Sequence, residues 1–320
     1  MRAPEAYYIY VRPHVPEWLH RWAARVWWQL HAQYQTWLEG RRRRSRPRLV
    51  GMPLRAWYWR IRPFPTWLLG PQWRRSRDLV EIDITYSCNL KCYNCDRSCE
   101  QDPSSDHMSV GQVRHFLEES RAAGVLWKRI RVLGGEPTNH PNFLEIMKLI
   151  RDYRDGFSPE TSIQVCTNGH GERVKRTLSL LPPDVVVNNS AKTTKVQTHF
   201  DTFNVAPVDV KEYAGADFSN GCWVTECCGM GVTPYGYYPC AVAGAIDRTF
   251  GLDLGRKTLP RTDDPMKEEL RTFCKLCGHF KPPTDGELEG PVMSATWAQA
   301  YARSRQKPPQ LSRLAERQDL

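Results

Sequence analysis

Residues 79–95 read LVEIDITYSCNLKCYNC. The first seven, Leu79–Thr85, have the apolar, β-branched character of a buried strand. A loop follows in which Cys88, Cys92 and Cys95 stand at C-x3-C-x2-C spacing. Three thiolates this close in sequence can wrap one small inorganic cluster. They cannot ligate all four irons of a [4Fe–4S] cube, so one iron is left for a substrate or cofactor, by the logic of an open catalytic zinc site. A zinc knuckle is the bland alternative.

Downstream the chain alternates. SVGQVRHFLEESRAAG reads as a helix with Ser109 as N-cap and Gly124 as stop. Arg129–Leu133 reads as a second strand followed by GGEP, NFLEIMKLIRDY as a helix, SIQVCTNG as a third strand with its loop, GERVKRTLSLL as a helix and DVVVNN as a fourth strand. Strand–helix–strand at this spacing implies βαβ units and a parallel sheet, with the chemistry at the carboxyl ends of the strands. Three distinctive loops follow strands, at Cys88–Cys95, Gly134–Pro137 and Thr167–Gly169, and are expected on one rim. FNVAP (Phe203–Pro207) is read as a fifth strand, and GVTPYGYYPC as a hairpin turning at Pro234-Tyr235-Gly236. Ala295–Ser304 reads as a helix in a polar tail.

These motifs resemble the radical S-adenosylmethionine (SAM) superfamily. The resemblance covers roughly residues 79–280 and implies an α/β fold, a partial (β/α)6-type barrel. It implies that Cys88, Cys92 and Cys95 hold a [4Fe–4S] cluster whose open iron binds SAM. It further implies that Gly134, Gly135, Glu136 and Pro137 hold the methionine amino group, and that Thr167, Asn168 and Gly169 lie near the ribose. The family usually places an aromatic residue just before the third cysteine; here that position is Asn94, with Tyr93 one place earlier. Both are carried as cofactor-binding candidates. His140 is read as a hydrogen-bonded loop residue.

A second set follows: Cys222, Cys227, Cys228, Cys240, Cys274 and Cys277. It resembles the shortened (twitch) form of the SPASM auxiliary-cluster domain, with Cys240, Cys274 and Cys277 as ligands and either Cys222 or Cys228 as the first. This implies a second [4Fe–4S] cluster; a four-cysteine zinc site has the same spacing. Cys166 is read as a small buried hydrophobe.

Eleven cysteines without an export signal favour metal ligation over disulfides in a reducing cytoplasm. The 320 residues are 41% hydrophobic and 25% charged, which suits a packed core, and no apolar run reaches 18 residues. Charge is uneven. Residues 1–77 hold sixteen Arg, three Glu and nine of the twelve Trp, a charge of +13, whereas the whole chain is +10. The expected organisation is a basic, Trp-rich helical extension (1–77), the barrel (78–210), the auxiliary-cluster domain (211–281) and a tail (282–320). The extension suits an anionic membrane surface, or packs on the barrel; nucleic acid is the lesser reading.

The resemblance implies an enzyme that generates a 5′-deoxyadenosyl radical and takes hydrogen from a substrate C–H. A flavodoxin or ferredoxin is the expected electron donor. Residues 1–77 lack the strand period of a peptide-binding module, which tilts the expectation to a sugar, cyclitol or glycan-linked substrate. Oxidation follows if the auxiliary cluster takes the second electron. Epimerisation follows if whichever of Cys222 and Cys228 is spare returns a hydrogen atom, and it is slightly favoured. A peptide maturase is the alternative, and a non-catalytic Fe–S or zinc scaffold at a membrane is the alternative of another class.

Overall fold

Strand β1, Leu79–Thr85, forms where its composition predicts it. The chain is a computed structural model that describes residues 60–194, 196–197, 203–280 and 292–316. After β1 come β2 (Lys91–Cys92), β3 (Arg129–Gly134), β4 (Ser162–Thr167), β5 (Val186–Asn189), β6 (Val196–Gln197), β7 (Met230–Thr233) and β8 (Gly236–Tyr238). The main sheet has the order β5-β4-β3-β1-β7-β8, parallel apart from the β7–β8 hairpin. This is the mixed α/β, parallel-dominated sheet of a partial barrel. A separate parallel ladder joins β2, in the cysteine loop, to β6.

The helices are α1 (Pro63–Leu69), α2 (Val110–Ala122), α3 (Phe143–Phe157), α4 (Glu172–Leu178), α5 (Trp223–Cys227), α6 (Ala241–Phe250), α7 (Lys267–Cys274) and α8 (Ala295–Gln306). Helix α2 starts as its sequence dictates. Ser109 accepts from Gln112 N while the Gln112 side chain accepts from Ser109 N, a reciprocal cap. One hydrophobic cluster covers one face of the sheet, and a second gathers Phe203, Tyr238, Phe273, Trp297 and Tyr301. Val80, Ile82, Ile84, Ile130, Val132, Ile163 and Val165 pack under Phe116 and Leu117 of α2 and Ile146 and Ile150 of α3. Period-2 alternation leaves the opposite face to the residues between them.

Two expectations change and two are filled in. Phe203–Pro207 is not a strand: Phe203 is drawn into the core, 4.8 Å from the Trp297 ring, and Pro207 opens a 3-10 turn. Residues 60–77 belong to the body. Ile61 and Trp73 are buried, and Arg75 donates to the carbonyls of Asp264 (2.7 Å) and Arg261 (2.6 Å). Residues 1–59 of the extension lie outside the described residues. The helix expected at Ala295–Ser304 forms as α8, with Trp297 and Tyr301 buried and the Tyr301 hydroxyl 2.9 Å from Ser98 Oγ beneath the cysteine loop. Finally, β7 pairs with β1, so the boundary at residue 210 runs through one continuous sheet, within the compact unit Arg55–Leu320. Among the described residues no helix is long and apolar enough to cross a membrane.

Candidate active site

The three loops meet at the carboxyl end of the sheet. Gly135 N donates to Thr85 O (2.8 Å) and Glu136 N to Ser87 O (2.9 Å), zipping the loop after β3 to the cysteine loop. Both glycines are required by this approach. A Cβ on Gly134, whose φ is +134°, would lie 2.2 Å from Thr85 O, and one on Gly135 would lie 2.4 Å from Ser87 O. The loop after β4 is tied in by Asn168, whose Nδ2 donates to Asn89 Oδ1 (2.8 Å) and reaches Cys88 Sγ (3.9 Å).

Glu136 is the knot of this rim. Its side chain is wholly buried. Oε1 accepts from Thr138 Oγ1 (2.7 Å), Oε2 from Asn168 N (2.8 Å), and Thr167 Oγ1 stands 2.9 Å from both oxygens. Pro137 opens the short turn that carries Thr138. A buried carboxylate needs such donors, and here they come from its own turn and from the end of β4 with the loop that follows it. His140 holds Met108 O at 2.8 Å and accepts from Asn142 N, as a loop tie.

The three loop thiols sit in a mixed field. Burial pushes Cys88 up to about 11, and it raises Cys92 as well, against the pull of Lys192. The neighbouring Cys99 thiol pulls Cys95 down to about 7. Lys192 Nζ lies 3.6 Å from Cys92 Sγ, and Leu90 N lies 3.5 Å from Cys88 Sγ. Asn94 has φ +55°, a left-handed turn that suits Asn better than an aromatic residue. It is buried, and its side chain accepts from Val292 N (3.0 Å). Tyr93 is half-buried.

The second cysteine set divides. Cys222, Cys240, Cys274 and Cys277 line one apolar cavity with Val224, Val242, Ile246, Leu270, Phe273 and Phe280. Burial drives the Cys222 and Cys274 thiols well above their ordinary range, and the neighbouring sulfurs add to it. Cys228 does not line that cavity. After burial, its main electrostatic neighbours are Glu81, Arg131, Arg129 and Arg97. Among the described residues no three His, Cys, Asp or Glu side chains are gathered tightly enough to share one metal ion.

Those neighbours of Cys228 belong to a feature that the strand-by-strand reading missed. The non-core face of the sheet carries Glu81, Asp83, Arg129, Arg131, Gln164, Cys166 and Asn188. Arg97, from the cysteine loop, reaches Glu81 Oε2 and Asp83 Oδ2, each at 3.1 Å, and Arg131 reaches Glu81 Oε1 at 2.6 Å. Burial lifts the Asp83 carboxyl to about 7 despite Arg97. Cys166 is half-buried on this face, 3.9 Å from Asn188 Nδ2, and is not the core hydrophobe expected. The signal was present: each of four adjacent strands carries at least one charged or amide residue on the same face.

Residues 82–194 match the family model of the radical SAM superfamily. They form a radical SAM domain. The domain is similar to GTP 3′,8-cyclase of Nautilia profundicola, 24% identical over 140 residues, 39% of this chain and 42% of that protein. It is also similar to 7,8-dihydro-6-hydroxymethylpterin dimethyltransferase of Methanocaldococcus jannaschii, 31% identical over 101 residues, 32% of this chain and 19% of that one. The chain thus spans less than half the length of these curated relatives. Among solved structures, BtrN in complex with AdoMet and 2-DOIA aligns at 14% identity and a TM-score of 0.37, covering 67% of this chain and 97% of that one.

A radical SAM domain implies a [4Fe–4S] cluster with SAM, and the rim has the chemistry for them. Three thiols share one loop with an ammonium and N–H donors near their sulfurs, which suits a thiolate-bound cluster. The carboxylate of Glu136 is spent largely on Thr167 and Asn168, so its contribution to a SAM site is first to set the position of that loop.

Proposed function

We propose that the chain is a radical SAM enzyme that inverts a carbon centre of a small polar substrate held on the charged face of the sheet. Cys88, Cys92 and Cys95 would hold the cluster, with Gly134–Pro137 and Thr167–Gly169 framing SAM. When bound, this pair supplies a radical able to remove hydrogen from an unactivated C–H. The observation that carries the reading is the separation of Cys228 from the four-cysteine cavity. Cys228 is half-buried, packs beside the cluster that holds Cys222 and Cys277, and has Glu81, Arg131 and Arg129 as charged neighbours, which supports its being the thiol left over. Cys228 would give its hydrogen atom to the substrate carbon: S–H breaks and C–H forms on the opposite side. The sulfur radical left behind returns to the thiol by taking one electron and one proton, the electron from a flavodoxin or ferredoxin. Arg129, whose Nη2 donates to Cys227 O (2.7 Å) and Cys228 O (3.1 Å), would fix the backbone of the donor.

Cys222, Cys240, Cys274 and Cys277 would hold a second [4Fe–4S] cluster. A zinc ion held by the same four cysteines is the alternative occupant. That cavity favours a second reading, a dehydrogenase in which the second electron leaves through the auxiliary site. A sugar, cyclitol or glycan-linked substrate suits either outcome. Attachment to an anionic membrane remains a proposal for residues 1–77. Phe64, Trp67 and Leu68 of α1 are exposed and would add to it.

Anaerobic reconstitution with SAM and dithionite tests the class: 5′-deoxyadenosine should form. Its absence from protein with intact clusters overturns the reading. Turnover of a panel of sugars and sugar phosphates in deuterated water then tests the outcome. Epimerisation places one deuterium on the product, because a thiol exchanges with solvent. Cys228→Ala should still form 5′-deoxyadenosine and lose the epimer. An oxidised product without solvent deuterium makes it a dehydrogenase.

A further inference from the structure

We infer that the substrate carries an oxyanion, a phosphate or a carboxylate, and that Arg129 and Arg131 bind it. The inference rests on the reading that substrate lies against the charged face. The two arginines are alternate residues of β3, so they project from the same face about 7 Å apart. Three guanidinium groups, Arg97, Arg129 and Arg131, stand against two strand carboxylates, Glu81 and Asp83. Arg97 takes both of these, and also Asp96 at 2.9 Å. Glu81 is divided, with Oε2 to Arg97 and Oε1 to Arg131.

Arg129 has the least compensation. Its Nη2 is spent on two neutral carbonyls. Burial, and then repulsion from Arg131, depress its pKa, whereas Glu81 holds that of Arg131 up against burial. The Nε atoms of both arginines are buried without an acceptor. A half-buried guanidinium whose Nε–H is buried without an acceptor is costly, and an oxyanion with several acceptor oxygens relieves it best.

Depth fits as well. By strand rise Arg131, three residues before Gly134, lies about 10 Å below the rim, and Arg129, five before it, about 17 Å. An anion held between them places a sugar-sized carbon skeleton beside Gln164 and Cys166, on the rim side of the anchor. Cys228 stands next to the same two arginines. An anchor there fixes which carbon meets the thiol.

The test uses the full chain, anaerobically reconstituted and without SAM, titrated with inorganic phosphate and separately with acetate by calorimetry. Iron content and 5′-deoxyadenosine formation are read on the same preparations. One saturable site is expected, weakened about tenfold or more by Arg129→Gln. The basic N-terminal segment also attracts phosphate, so the difference between wild type and Arg129→Gln is the measured quantity. Tighter phosphate than acetate makes the anchor a phosphoryl site; the reverse makes it a carboxylate site. Binding that does not saturate, or that is unchanged in Arg129→Gln with full iron, overturns the inference.

Should Arg129→Gln lose its iron, Glu81→Gln keeps the question open to decision. Removing the competing carboxylate should tighten phosphate several-fold, and no tightening overturns the anchor. Arg131→Lys should retain more affinity than Arg131→Gln. A wild type that forms 5′-deoxyadenosine but binds no anion loses this inference alone. One that binds anion but forms none loses the enzymatic reading instead.

Discussion

The chain builds two cysteine sites on opposite principles. At the rim, Cys88, Cys92 and Cys95 sit in a loop, next to the ammonium of Lys192 and the amide of Asn168, with two of the three half-buried. In the cavity, Cys222, Cys274 and Cys277 are buried, the walls are aliphatic and aromatic, and backbone N–H groups of Val224, Val242, Ala243, His279 and Phe280 face the sulfurs. Hydrogen bonds and solvent exposure set the behaviour of an iron–sulfur centre. An open, charged rim suits exchange of a cofactor, and a sealed apolar wall suits a centre that keeps its ligands throughout. On the proposed reading the first site would carry the chemistry and the second would keep its ligands.

The largest expected effect breaks the rim alone. Replacing Cys88, Cys92 and Cys95 with Ala should abolish 5′-deoxyadenosine formation and remove about half of roughly eight irons. Retention of all the iron would sink the division into two sites. Next, Cys222→Ala should also remove about half of the iron, from the other side, while Cys228→Ala leaves iron content unchanged. An equal loss in both would return Cys228 to the cavity.

A smaller effect sharpens the account of the rim. Glu136→Ala leaves the donors of Thr138, Thr167 and Asn168 without their acceptor. SAM binding, read by equilibrium dialysis, should weaken on the order of tenfold to a hundredfold with both clusters retained. Unchanged affinity would show that the loop after β4 holds its place without Glu136.

The smallest effect concerns charge. Asp83, beneath the rim, has its carboxyl raised to about 7 by burial, against an ordinary 3.8. The folded state then binds this proton more tightly than the unfolded chain does. Its contribution to stability is present in full below about pH 4 and is lost as pH rises through 7. Melting temperature should therefore fall between pH 4 and 8, and Asp83→Asn should flatten that fall. A slope identical in the two proteins would point to another group.

Much of this was legible. The strands at Leu79–Thr85, Ser162–Thr167 and Val186–Asn189 and the cap at Ser109 follow from local chemistry, and each loop motif begins where its strand ends. The charged face was harder to read because no one strand declares it. Glu81 and Asp83 look like interruptions of an apolar run until Arg131, Gln164 and Asn188 stand beside them. Phe203–Pro207 misled because its apolar residues are buried by packing against Trp297 and not by pairing in a sheet. The choice between Cys222 and Cys228 was beyond spacing altogether. What separates the two is placement: Cys222 lines the cavity, and Cys228 lies just before the turn at Gly229 (φ +100°) that leads into β7.

The pairing of β7 with β1 has a consequence in time. Val80 lies beside Met230, so one edge of the central strand waits for a partner 150 residues further on. At ribosomal speeds of about 5–20 residues per second, that wait lasts roughly 8–30 seconds. Through that interval the cysteine loop has already been synthesised while the cavity that encloses its counterpart has not. Cluster loading in a cell would therefore follow an order: thiols exposed early at one end of a half-made sheet, and a second set that becomes enclosed only after the hairpin docks and α7 arrives.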